Sequence, residues 1–151
     1  MQNDLISTGN CGEYFVAAEL ERHGFTVAVP MSNVKDFDIL AIHRIKHDYQ
    51  LAIQVKTTQK SKKQWVLNKK SESLVGDNIY YIFVTLSGLE IPEYHIVPSK
   101  IVAETVKTDH QNWLNTPGKN GNVHKDNTIR KFADENNEYL NNWSVLDPDL
   151  S

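Results

Sequence analysis

Asp36-Phe37-Asp38-Ile39-Leu40-Ala41-Ile42, followed after a short connection by Leu51-Ala52-Ile53-Gln54-Val55-Lys56-Thr57-Thr58, is the stretch on which the reading of this chain turns. Both segments are rich in apolar and β-branched residues and read as strands, with the polar link His43 to Gln50 joining them as a hairpin. Side chains alternate between the two faces of a strand. Gln54 and Lys56 therefore share one face, and Ile53 and Val55 share the other. An acid on the first strand and a polar-x-Lys triplet on the second can converge on one spot.

Working outward, residues 10–23 read as a helix, with Ser7, Thr8 and Asn10 as candidate N-caps and Gly24 as its stop. Glu13, Val16, Ala17 and Leu20 follow the i, i+3, i+4, i+7 spacing of a single helical face. A carboxylate on an apolar stripe is costly unless it is paired or binds a cation. A first-turn position, where it would favour the helix dipole, is the plainer alternative for Glu13. Phe25 to Val29 reads as a strand closed by Pro30, and Met31 to Lys35 as a loop delivering Asp36 and Asp38.

Downstream, Gln64 to Leu67 reads as a strand between lysine runs. Asn78 to Leu86 is the most continuous apolar run and suits a strand buried on both faces. Glu93 to Val97 is a further strand, and Ser99 is placed as N-cap of a helix carrying Ile101, Val102 and Val106. Residues 108–125 read as a polar loop, Asp126 to Leu140 as an amphipathic helix, and Trp143, Val145 and Leu146 as the docking points of the tail. No repeat or second domain is visible. The expectation is a single domain over 1–151, with a core at 9–107 and a C-terminal helical extension at 108–151.

A chain of 151 residues with 40% hydrophobic content can bury an ordinary core. The net charge of -3 is mild, but its distribution is uneven. Residues 35–72 hold nine basic and four acidic side chains, whereas 73–151 hold six basic and eleven acidic. Positive charge thus gathers around Asp38 and Lys56, where it would attract a polyanion. Cys11 is the sole cysteine, which excludes a disulfide and a cysteine-based zinc cluster. No signal peptide or membrane-length apolar run is present, so a cytoplasmic location is expected.

Several chemistries fall away. Gly118-Lys119-Asn120-Gly121 lacks the earlier glycine and the Ser/Thr of a phosphate loop and reads as a turn. The six histidines show no zinc-protease spacing, and no Gly-x-Ser-x-Gly elbow occurs. Glu13, Asp38, Gln54 and Lys56 remain. Asp38 and Glu13 could supply charged oxygens to Mg²⁺ or Mn²⁺, Gln54 a neutral one, and the Val55 carbonyl a fourth. Such an ion acidifies water and stabilises charge on phosphate, and Lys56 could orient or deprotonate that water. Lys60, Lys62, Lys63, Lys69 and Lys70 flank the spot and could track a phosphate backbone.

Gly12-Glu13-Tyr14-Phe15-Val16-Ala17-Ala18-Glu19-Leu20, Gly24-Phe25, Asp36-Phe37-Asp38-Ile39-Leu40 and Gln54-Val55-Lys56-Thr57 together resemble the PD-(D/E)XK nuclease superfamily. The likeness is to its restriction-endonuclease-like and Holliday-junction-resolvase-like branch, and Pro92 to Ser99 is similar to small bacterial members. It covers about residues 9–100. The resemblance implies an α/β fold, a mixed four- to five-stranded sheet flanked by helices, and Mg²⁺-dependent hydrolysis of DNA phosphodiesters. Glu13 would be the acid of the first helix, Asp38 the motif aspartate, Gln54 the (D/E) position and Lys56 the motif lysine. Phe37 replaces the usual proline, a conformational change only. Gln54 replaces an acid, which implies weaker metal binding. Two-strand cutting would call for a homodimer.

The leading expectation is a metal-dependent endonuclease serving repair, recombination or defence. The alternatives are a catalytically weakened module of the same fold that binds nucleic acid or protein, and a dedicated protein-interaction partner using the acidic C-terminal half.

Overall fold

The computed structural model describes residues 5–30, 36–59 and 63–149, with side chains from Thr8 onward. The hairpin of the deciding stretch is present. Strand β2 (Ile39–His43) pairs antiparallel with β3 (Gln50–Thr58), Ile39 standing opposite Ile53 and Ile42 opposite Gln50. With β1 (Phe25–Ala28), β5 (Ile79–Thr85) and β6 (Glu93–Pro98) they form a mixed five-stranded sheet in the order β1-β2-β3-β5-β6. Only β3 and β5 run parallel. Parallel neighbours need a long crossover, and residues 59–78 provide it.

Helix α1 (Leu5–Arg22) covers one face, burying Val16 and Leu20 completely against Ile39, Ile53, Val55 and Ile82. On the other face, Trp65, Tyr81, Phe83, Val102 and Phe132 form a second core under α2 (Ser99–Asn115) and a two-stranded ribbon of β4 (Gln64–Asn68) and β7 (Ile129–Ala133). The alternation that sends Val55 into the first core turns Gln54 and Lys56 toward this second side. As its unbroken apolar run implies, β5 is buried on both faces.

Five readings of helices and loops need correction. The first helix begins by Leu5, so Thr8 is a buried helical residue that accepts from Gln59 Nε2 at 2.6 Å rather than a cap. Glu13 consequently lies beyond the first turn, and the helix-dipole account of its position fails. Ser99 is the first residue of α2, not its N-cap, and its hydroxyl exchanges 3.1 Å hydrogen bonds with the backbone of Gly76.

The expected loop at 108–125 is half helix, because α2 runs on to Asn115. The expected helix at 126–140 is strand β7 followed by turns, so past Asn115 the described part of the extension carries no α-helix. Ile129, Phe132 and Ala133 match a helical spacing, but pairing with β4 buries Phe132 against Phe83, with stacked rings 4.6 Å apart. Tertiary pairing overrides a weak local pattern here. The tail docks as expected. Leu146 is buried, and Trp143 and Val145 pack on the first core. Among the described residues no helix is long and apolar enough to cross a membrane.

Candidate active site

Three successive residues of β3 hold the turn that leads into β2. The Ile53 carbonyl accepts from the Asp38 N–H at 2.9 Å, Gln54 Nε2 donates to the Asp36 carbonyl at 2.8 Å, and the Val55 N–H donates to Asp38 Oδ2 at 2.7 Å. The strand expected from Asp36 begins only at Ile39, because Asp36 sits in a turn with φ 77°. That left-handed conformation is unfavourable for a residue with a side chain. Asp38 is thus fixed by main chain and side chain alike before the strand starts.

Glu13 reaches the same region from α1. Burial first, and the neighbouring Asp38 carboxylate second, push its carboxyl above the usual range, while Lys56 pulls it down without cancelling the effect. Two acids and a lysine from three separate elements therefore share one electrostatic neighbourhood. Lys56 has no ion-pair partner among the described residues. Behind it lies a polar cavity of about 80 Å³ lined by Asp36, Gln54, Lys56, Asn68, Lys70 and Tyr81. Burial, then the charge of Asp36, push the Tyr81 phenol up to about 12, so its hydroxyl stays protonated at working pH. A larger cavity of about 320 Å³, between α2 and β7, contains none of the candidate residues.

Gln54 Oε1 is buried and accepts no hydrogen bond from the described residues. A buried carbonyl oxygen without a donor is costly, and such an atom is available to a cation. Asp38 keeps one carboxylate oxygen beyond the bond to Val55. Among the described residues no three His, Cys, Asp or Glu side chains cluster as a metal set. Any ion would therefore rest on two carboxylates and neutral oxygens. That donor set suits Mg²⁺ or Mn²⁺, which take oxygen ligands and retain waters.

Over 92% of this chain and 88% of the other, the structure superposes on a bacterial homing endonuclease with a TM-score of 0.53 at 13% identity. The chain has a restriction-endonuclease-like fold. A Holliday junction resolvase of Archaeoglobus fulgidus, an archaeal hyperthermophile, matches 83% of this chain and 84% of its own at 14% identity and a TM-score of 0.48. No protein-family model and no curated sequence matches the chain.

Within this restriction-endonuclease-like frame the lysines differ in availability. Lys60 and Lys62 lie outside the described residues. Lys63 is partly compensated, forming an ion pair with Glu93 at 3.2 Å and a hydrogen bond to Asn137. Lys69 and Lys70 are exposed on a 3-10 turn, Lys69–Glu72, capped by Asn68, whose Oδ1 accepts from the Lys70 N–H at 2.9 Å. Lys70 lines the same cavity as Lys56. Two residues escaped the sequence reading. Asp36 was visible as an acid but its turn was not, and Gly12 gave no sign of its contact with Thr57 beyond lying next to Glu13.

Two of the six histidines hold carboxylates. His95 is fully buried with Nδ1 2.6 Å from Asp134 Oδ2, and His110 holds Asp126 at 2.8 Å.

Proposed function

We propose that this chain is a metal-dependent endonuclease that hydrolyses phosphodiester bonds of DNA. The observation that carries the reading is the convergence of Glu13 from α1, Asp38 fixed to Val55 at 2.7 Å, and Lys56 on β3, which has no ion-pair partner among the described residues; burial and the Asp38 charge raise the Glu13 carboxyl. Such an arrangement costs folding energy, and perturbed groups of this kind cluster at functional sites. The shared fold with a homing endonuclease supports it.

Glu13, Asp38, Gln54 Oε1 and the Val55 carbonyl would hold Mg²⁺ or Mn²⁺. The ion would supply stabilisation of charge on the phosphate and acidification of the attacking water. Lys56, on the same strand face as Gln54, brings its ammonium to the phosphate and offsets the charge that develops there. Lys69 and Lys70, with Lys60, Lys62 and Lys63, contact the backbone, which makes binding dependent on salt. Cutting both strands would engage two copies of the chain, in repair, recombination or defence.

Incubation with plasmid, linear duplex, single-stranded and four-way-junction DNA, in Mg²⁺, Mn²⁺ or EDTA, tests this. The expected result is cleavage in either metal and none in EDTA. Binding without cleavage in any metal would instead favour the non-catalytic module, for which the neutral Gln54 is the specific argument.

A further inference from the structure

We infer that Gln54 is a positioning residue as well as a candidate ligand: its amide N–H clamps the left-handed Asp36 turn and so sets Asp38, which is why an amide stands where an acid is expected. The inference rests on the reading of Asp38 as a site residue and deepens it.

The hydrogen bond fixes which way the amide points. A main-chain carbonyl can only accept, so the group 2.8 Å from the Asp36 oxygen is the NH₂ of Gln54. The opposite end, Oε1, is thereby turned away from the turn and is left buried without a protein donor. One side chain thus does two things that a carboxylate cannot combine. Glutamate has no hydrogen to donate and would set a negative oxygen against the Asp36 carbonyl.

The turn needs holding. Asp36 has φ 77°, a region that glycine enters freely and other residues enter at a cost. Asp36 is two residues from Asp38, and among the described residues Asp38 is gripped by the two β3 residues flanking Gln54, through Ile53 O and Val55 N. Release of the middle contact lets Asp36 relax and pulls on Asp38. The missing charge at position 54 is then not a sign of decay. It is a requirement of a turn built with aspartate rather than glycine at position 36.

Two consequences separate this from a role as ligand alone. If Gln54 only contributed an oxygen, Gln54→Glu would add charge and improve the site, and residue 36 would be irrelevant to it. If Gln54 clamps the turn, Gln54→Glu impairs the site, and Asp36→Gly, whose freer backbone can turn the residue-36 carbonyl away from the new carboxylate, relieves the damage.

The test is a double-mutant cycle on thermal unfolding of the metal-free protein, using wild type, Gln54→Met, Asp36→Gly and the double variant. Methionine removes the donor without adding charge, so charge repulsion with Asp36 does not enter. Gln54→Met is expected to lower Tm by several degrees in the wild-type background and by less than half as much in the Asp36→Gly background. Equal shifts in both backgrounds would overturn the clamp. A cleavage arm at saturating Mg²⁺ compares Gln54→Glu with Gln54→Glu/Asp36→Gly. A loss of about tenfold or more that the second change largely restores supports the clamp, and an undiminished rate for Gln54→Glu contradicts it. Absence of cleavage by wild type would refute the nuclease reading, yet the unfolding cycle would still decide the clamp.

Discussion

A β-carbon placed on Gly12 would stand 1.9 Å from Oγ1 of Thr57 and 2.9 Å from its Cβ. Helix α1 therefore touches β3 through bare backbone, one residue before Glu13 and one residue after Lys56. The close approach brings the helix acid into the field of the strand lysine. Gly12→Ala should destabilise the protein. Alanine gains up to about 1 kcal/mol of helix propensity, but overpacking costs about 1–3 kcal/mol against a short branched side chain that cannot swing away. Thermal denaturation should show a lower Tm, with part of the loss recovered in Gly12→Ala/Thr57→Ala. A Tm raised by Gly12→Ala would mean the helix has room to shift.

Glu13→Gln should stabilise the metal-free protein near neutral pH. The Glu13 carboxyl titrates above its ordinary value of 4.5 because of burial and Asp38. Its charge therefore works against folding once pH exceeds that value, and the penalty vanishes well below it, where the acid is protonated in both states. The Tm gain of Glu13→Gln should be present at pH 7 and absent near pH 4. An equal gain at both pH values would assign the effect to packing. A site kept at the expense of stability is the expected pattern for function.

Asp134 predicts an acid limit to stability. Burial by itself would raise this carboxyl, but hydrogen bonds from His95 and from the N–H groups of Tyr139 and Glu138 outweigh it and hold the group below its ordinary 3.8. A depressed carboxyl contributes stability above the unfolded value and loses it as pH falls through the folded one. Wild type should thus lose Tm steeply below about pH 4. Asp134→Asn should start lower at pH 7 and show a flatter acid limb. Parallel profiles would remove Asp134 from the account of acid unfolding.

The legible part of the fold was the part whose pattern is local. Strand alternation at Ile53 to Lys56 and the continuous run of β5 each report burial directly, and the Glu13–Leu20 spacing reports a helix face. Strand β7 was hidden because Ile129, Phe132 and Ala133 fit a helical period, while the partner that decides the matter, β4, lies some sixty residues earlier. The site divides in the same way. Residue types and spacing named Glu13, Asp38, Gln54 and Lys56 as candidates, and the family resemblance marked Gln54 as standing where an acid is usual. The donor role of its amide depends on the φ of Asp36, and no composition or spacing reports a backbone angle eighteen residues away.

Lys56→Ala tests directly whether the site built by α1, β2 and β3 cuts DNA. Purified wild type and Lys56→Ala would be compared for single-turnover cleavage of duplex and junction DNA in Mg²⁺, with circular dichroism and Tm confirming that both are folded. The variant is expected to keep its fold and lose cleavage by about a hundredfold or more, because a cation that offsets developing phosphate charge is removed. Cleavage by folded Lys56→Ala at the wild-type rate would contradict this, because the hydrolysis would then be independent of the site built by α1, β2 and β3.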